Sequence, residues 1–389
     1  MTSAWTSRQR VEAALNHRKP DRVPLSMTIT EIPYVRLRQY LGMPADAELR
    51  PNRFGEVEPG IDLLQELGFD TASIKLRGPE INIAPSPLPD GTVFDEWGVG
   101  RQRVELDSGA FLLEVTHSPF EGLHPEDIDL DAHPWPDPAD FGRTAGLSQD
   151  AQKLYESTDL ALIGRFGGTI MEQAFFLRGY QDWMMDLVLF PEFAKALMNR
   201  IADIQIALDE AGIREAGGYL SIFKASGEDL GMQDRPMFSQ SVWQQILRPI
   251  LRRRWQAARQ ALNHFDAAHV KLMLHSDGAS RDFIPDLIAD GIQVLDPIQT
   301  SCAGMDVAGL KRDFGSNLVF HGGIDTQYVL PFAKPEEVEL ETIRVIRALG
   351  PGGGLILGPV HNVQPDVPPE NLIAMCEATR KFGLHPLRF

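Results

Sequence analysis

The chain has 389 residues, 43% of them hydrophobic and 23% charged, which is ample material for a large buried core and excludes a disordered, collagen-like or disulfide-scaffolded protein. Fifty-four acidic against 37 basic side chains leave a formal charge of −17, which opposes binding to nucleic acid or an anionic bilayer. Cys302 and Cys376 are far apart and form no CxxC pair, and no apolar leader or run of about 18 apolar residues occurs, so the expected setting is the reducing cytoplasm, with no membrane contact.

Ser7 is read as the cap of a helix whose one face carries Val11, Ala14 and Leu15. Pro20 and Pro24 end it around the start of the apolar run Val23–Ile29, the first strand. Seven more β-rich runs follow: Thr71–Lys75, Ala161–Arg165, Tyr219–Phe223, Val270–His275, Ile292–Leu295, Leu318–His321 and Leu355–Val360. Helical periodicity separates the later ones, as in Phe193, Leu197, Ile201 and Ile204, then Phe283, Ile284, Leu287 and Ile288, then Val338, Leu340, Ile343 and Ile346. Alternating strands and helices require parallel pairing, and eight such units close into a barrel. The expected fold is therefore α/β, a single (β/α)8 TIM barrel over residues 1–389. Residues 91–116 read as antiparallel strands and 131–140 as a Pro/Asp loop, together an insertion between strands two and three.

In such a barrel the active site gathers at the C-terminal strand ends. Polar residues recur there: Thr30 and Glu31 after strand one, Lys75 and Arg77 after two, Arg165 and Glu172 around three, and Ser226, Glu228 and Asp229 after four. Strand five ends in His275-Ser276-Asp277-Gly278, six in Asp296-Pro297-Ile298-Gln299, seven in His321-Gly322-Gly323-Ile324-Asp325, and eight in His361-Asn362-Val363-Gln364. Helix capping accounts equally well for Asp277 and Asn362. Tight backbone geometry suits Gly322 and Gly323 better than ligand binding. Core packing suits Trp97, Trp135, Trp183 and Trp243, and helix packing Met184 and Met185.

A metal is the sharpest hypothesis. His275 and Asp277 are two apart, so on an extended strand end their side chains point the same way, and His361 approaches across the closing barrel. Imidazole and carboxylate suit Zn²⁺ but also Fe²⁺, Mn²⁺ and Co²⁺, with zinc the first expectation. Glu172, Asp229 and His321 are further candidates as ligands or proton carriers.

The segments SRQRVEAALNHRKPDRVP, LRGYQDWMMDL, SGEDLGMQ, HSDG, LDPIQ, FHGGIDTQ and LILGPVHNVQPDVPPENL run in order along nearly the whole chain. On them the sequence resembles the uroporphyrinogen decarboxylase superfamily, in its methyltransferase-like branch. The resemblance implies a (β/α)8 barrel with a deep site at its mouth. Haem-pathway decarboxylases carry an Arg-rich AGRY-type segment where this chain has Thr28-Ile29-Thr30-Glu31-Ile32-Pro33-Tyr34, so haem-pathway decarboxylation is not expected. The methyltransferase branch holds zinc with an HxC pair after strand five and a cysteine after strand eight. This chain has His275-Ser276-Asp277 and His361 at those places, which leaves a more Lewis-acidic ion suited to polarising oxygen.

The resulting expectation is a metal-dependent methyl transfer or O-demethylation of a small oxygenated substrate, aromatic ones among the candidates, with a corrinoid protein as partner. In it His275, Asp277 and His361 hold the metal, while Asp229, Glu172 and His321 manage protons. Lys75 or Arg165 orients a substrate carboxylate, and Gln299 and Asp325 complete the substrate-binding candidates. A lyase or decarboxylase on the same barrel, and a non-catalytic homologue, are the alternatives. The resemblance also implies a homodimer.

Overall fold

The computed structural model describes residues 5–46, 49–52, 55–105 and 111–387. Seven of the expected strands form one parallel sheet in chain order: Thr71–Lys75, Ala161–Arg165, Leu220–Gly227, Lys271–His275, Val294–Asp296, Val319–Ile324 and Leu355–Pro359. The first run takes the eighth place through single bridges rather than as a full strand. Leu25 bridges Leu357 in parallel; the Leu357 N–H donates to Pro24 C=O at 2.8 Å, and on the other side the Asp70 N–H donates to Leu25 C=O at 2.8 Å. Pro24 has no N–H to extend the ladder. Further along, Ile29 bridges Val363 in parallel, and on its other side Ile29–Thr30 pairs antiparallel with Glu56–Val57.

The helix Ser7–Leu15 plugs the N-terminal end of the barrel. Val11, Ala14 and Leu15 pack against Ala161, Ile163, Ile222, Met273, Val294, Val319 and Ile356, the inward-facing residues of the strands. Its cap is Thr6, one residue earlier than expected. The Thr6 hydroxyl accepts the Gln9 N–H while the Gln9 side chain accepts the Thr6 N–H, and Ser7 is the first helical residue.

The outer helices follow the expected periodicity with one correction. In Pro335–Leu349 the buried face is Val338, Thr342, Val345, Ile346 and Leu349, whereas Leu340 is 66% exposed. Two residues beyond Val338 is most of a half-turn away, so both cannot face the sheet. Between barrel strands two and three, Val93–Phe94, Gly100–Glu105 and Phe111–His117 form the expected antiparallel insertion; residues 106–110 within it lie outside the described residues. Residues 131–140 contain no helix or strand. Among the described residues no helix is long and apolar enough to cross a membrane.

Candidate active site at the barrel mouth

A β-strand repeats its facing every two residues, so the side chain two beyond an inward apolar residue also points inward, one layer nearer the mouth. Two residues beyond Ile163, Ile222, Met273, Val294 and Val319 stand Arg165, Lys224, His275, Asp296 and His321. The barrel interior thus changes from an apolar layer to an ionisable one, and that second layer floors a cavity of about 720 Å³. Phe175, Tyr180, Trp183, Met184, Met237 and Phe238 wall it. Trp183 is buried in the core as expected and also lines this space, Met184, expected to serve helix packing, faces it, and Met185 is partly solvent-exposed.

Asp296 is the hub of the floor. One of its oxygens lies 2.8 Å from His275 Nδ1 and the other 2.7 Å from His321 Nδ1. A carboxylate can only accept from these rings, so the geometry assigns Nδ1–H to both imidazoles. Burial presses the Asp296 pKa upward, but the two imidazoles outweigh it and hold the group well below the ordinary carboxylate value. His321 Nε2 is buried without a protein partner, a state that a functional site tolerates and a structural core does not.

The other ring nitrogen of His275 faces Asp277. His275 Nε2 lies 3.4 Å from Asp277 Oδ2, which is in turn 3.7 Å from His361 Nε2. One ligand atom from each of His275, Asp277 and His361 lies within 4.8 Å of the others. Metal–ligand bonds of about 2.0–2.1 Å in a tetrahedron place donor atoms roughly 3.3 Å apart, so two of these edges are near that spacing. The donor set fits a divalent ion, and Asp296 behind His275 supplies the carboxylate that orients a ligating imidazole. Burial and Lys224 press the His275 pKa down, yet Asp277 and Asp296 lift it to about 9. Burial pushes His361 below its ordinary value, although Asp277 opposes this. The cluster therefore favours positive charge between His275 and Asp277, whether it comes as a proton or as a metal ion.

The remaining expected site residues divide between the cavity and the frame around it. Asp229 and Glu172 line the cavity. Asp229 Oδ1 accepts the Asp277 N–H at 3.0 Å, and Glu172 Oε2 accepts the Thr169 hydroxyl at 3.2 Å. Arg165 also lines it but is held by Glu56, whose second oxygen accepts Nη2 at 3.1 Å. Burial alone would raise Glu56, yet Arg165, with Lys75 and Lys224 behind it, holds it at about 2. Lys75 pairs with Glu58 and does not line the cavity.

Gln299 and Asp325 also stand outside the lining. Gln299 accepts the Gly278 N–H at 2.7 Å, and Asp325 Oδ1 accepts the N–H groups of Gln327, Tyr328 and Val329. Asp277 faces the imidazoles, and no helix starts on it.

Sequence reasoning missed Lys224, Glu56 and the hub role of Asp296. The expected fourth strand stopped at Phe223, whereas the observed one runs through Gly227 and carries Lys224 inside the barrel. The sixth likewise includes Asp296. The two-residue step from Ile222 and Val294 was the signal that could have found both. Glu56 had none, because it comes from the short antiparallel pair outside the barrel sheet.

The loop after the third strand is fixed by a buried ion pair. Arg254 Nε lies 2.7 Å from Asp209 Oδ2, and both side chains are almost wholly enclosed. Asp209 accepts the Gly167 N–H at 2.9 Å, and Arg254 donates to Gly168 C=O. A Cβ at Gly167 would collide with both side chains. Gly167 therefore serves close approach, and the hydrogen bonds to Gly167 and Gly168 set the path that delivers Thr169 and Glu172 to the cavity.

A family model described as uroporphyrinogen decarboxylase (URO-D) matches residues 123–382. The uroporphyrinogen decarboxylase of Alkalilimnicola ehrlichii is 25% identical over 264 residues, covering 66% of this chain and 66% of that protein. That of Magnetococcus marinus is 25% identical over 196 residues, covering 50% of each. The chain thus spans about half to two thirds of the curated relatives it matches. A methyltransferase from Methanosarcina mazei shares the fold, with a TM-score of 0.63 at 17% identity over 97% of this chain and 99% of that one. On the match across two thirds of its length, this chain belongs to the uroporphyrinogen decarboxylase family.

Proposed function

We propose that this protein catalyses metal-dependent methyl transfer, the O-demethylation of a small methoxylated aromatic compound with a reduced corrinoid as methyl acceptor. The observation that carries the reading is the His275–Asp277–His361 cluster, with Asp296 fixing His275 from behind, on the floor of a cavity with an aromatic wall. The Methanosarcina mazei protein of the same fold, a methyltransferase by name, supports it at the level of architecture.

A divalent ion at these three residues, zinc first among the candidates, would supply Lewis acidity toward an ether oxygen. The protein's own groups supply position and protons. Phe175, Trp183 and Phe238 hold the ring and exclude water, and Asp296 keeps Nδ1–H on His275 and His321. A His321 ring protonated only on Nδ1 carries a lone pair on Nε2, and can take up and return one proton there. In the overall exchange the methyl–oxygen bond breaks and its electron pair stays on oxygen, which gains one proton. The methyl group bonds to the Co(I) of the corrinoid, which is formally oxidised by two electrons.

The test is methylcobalamin formation from cob(I)alamin and methoxybenzenes, followed by absorbance under anaerobic conditions. Turnover by wild type and none by His275→Ala is expected. No methylcobalamin from any methoxylated aromatic, or full activity in His275→Ala, would contradict the proposal. Lys224 and Arg165 on the same floor favour a second reading, a lyase or decarboxylase acting on a carboxylated substrate. Release of carbon dioxide without methyl transfer would select it.

A further inference from the structure

Cationic side chains stand on three neighbouring strands of the barrel wall: Lys75 opposite Arg165 in register, and Lys224 on the next strand, one residue beyond the Gly164–Phe223 pair. They differ in how their charge is met. Glu58 pairs with Lys75, and Glu56 clasps Arg165 with both oxygens. Lys224 forms no such close pair with a glutamate among the described residues, and Glu56 acts on it only through its field. The one carboxylate within ion-pair reach of Lys224 among the described residues is Asp296, with Oδ2 at 3.8 Å, and both oxygens of Asp296 are already committed to His275 and His321.

An ammonium taken out of water needs a charged, hydrogen-bonded partner. The pressure shows in Lys224 itself: burial lowers its pKa and Arg165 adds to this, while Asp296, Glu56 and Asp277 oppose it without reversing it. The side chain lines the cavity, so a bound molecule can reach it.

We infer that Lys224 is the recognition site for a carboxylate on the substrate, so that the molecule accepted here is a methoxylated aromatic acid rather than a neutral ether. The acid group docks on the Lys224 side of the floor, and the methoxy group lies toward His275, Asp277 and His361. This assignment rests on the methyl-transfer reading for the methoxy group alone; the carboxylate site stands on the unmatched lysine.

Binding separates the two. Isothermal titration calorimetry with 3-methoxybenzoate and its neutral isostere 3-methoxybenzamide is run on wild type, Lys224→Met, Lys224→Arg and His275→Ala. Wild type is expected to prefer the benzoate by about tenfold or more, the scale of one charge-assisted hydrogen bond. Lys224→Met should erase that preference and Lys224→Arg should retain it. His275→Ala should keep it as well, because the carboxylate does not sit on the imidazole cluster.

Equal affinities for the two probes in wild type, or no benzoate binding at all, overturn the inference. So does a preference that survives in Lys224→Met and disappears in His275→Ala, which would place the carboxylate on the cluster. Failure of the methyl-transfer reading appears separately, as absent methylcobalamin with the benzoate preference intact.

Discussion

Asp296 Oδ2 lies 2.8 Å from His275 Nδ1, which leaves Nε2 as the one ring nitrogen of His275 directed at Asp277 and His361. The same carboxylate orients His321 at 2.7 Å, so one charge fixes two imidazoles of the cavity floor.

Asp296→Asn tests that arrangement. It keeps the shape of the side chain but removes the charge that favours Nδ1–H on both rings. The expected result is a divalent-ion affinity about 10- to 100-fold weaker, measured by competition with a chromophoric chelator, in a protein that still folds. Unchanged affinity would show that His275 is oriented by other means.

Acid titration should expose the Glu56–Arg165 pair. Glu56 has a folded-state pKa of about 2 against an ordinary value of 4.5, so its contribution is complete above 4.5 and is lost as pH falls toward 2. Urea unfolding of wild type and Glu56→Gln should show a wild-type advantage on the order of 3 kcal/mol at neutral pH. That advantage should shrink steadily below pH 4.5. A difference that stays constant to the lowest pH would show that the pair is not coupled to folding.

The first turn of the barrel's third crossover depends on the Arg254–Asp209 pair. Asp209→Ala leaves the Arg254 guanidinium enclosed and uncompensated, and should cost about 3–5 kcal/mol in denaturant unfolding. Gly167→Ala, which forces a Cβ against both side chains, should cost about 1–3 kcal/mol. The two changes strain one contact, so the double variant should lose less than the separate losses combined. Full additivity would show that Gly167 does not act through this pair.

Most of the barrel was legible in the sequence because strand and helix periodicities alternate from Ala161 onward, after the insertion that follows Thr71–Lys75. The first strand was less so. Val23–Ile29 reads as a full strand by composition, but Pro24 interrupts the ladder, which is reduced to single bridges at Leu25 and Ile29, and Ile29 pairs on its other side with Val57. The metal-capable set was readable from the two-residue step between His275 and Asp277 and from the closure that carries His361 across. Its support was not. Lys224 was hidden by a strand end set too early, Asp296 was named at the end of strand six but not as the hub, and Glu56 reaches Arg165 from a distant segment through a contact that no local pattern encodes. Gln299 and Asp325 looked like site residues because they follow strands, yet Gln299 accepts a backbone N–H from the loop after the fifth strand and Asp325 Oδ1 accepts backbone N–H groups of its own loop.

Metal content tests the central claim most directly. Protein purified without chelator or metal-affinity resin, then equilibrated with a divalent salt and desalted, is analysed by mass spectrometry alongside His275→Ala and Asp277→Ala. About one divalent ion per chain in wild type, lost in both variants, is the predicted result. No stoichiometric ion in wild type, or equal retention in the variants, would contradict a metal centre at His275, Asp277 and His361.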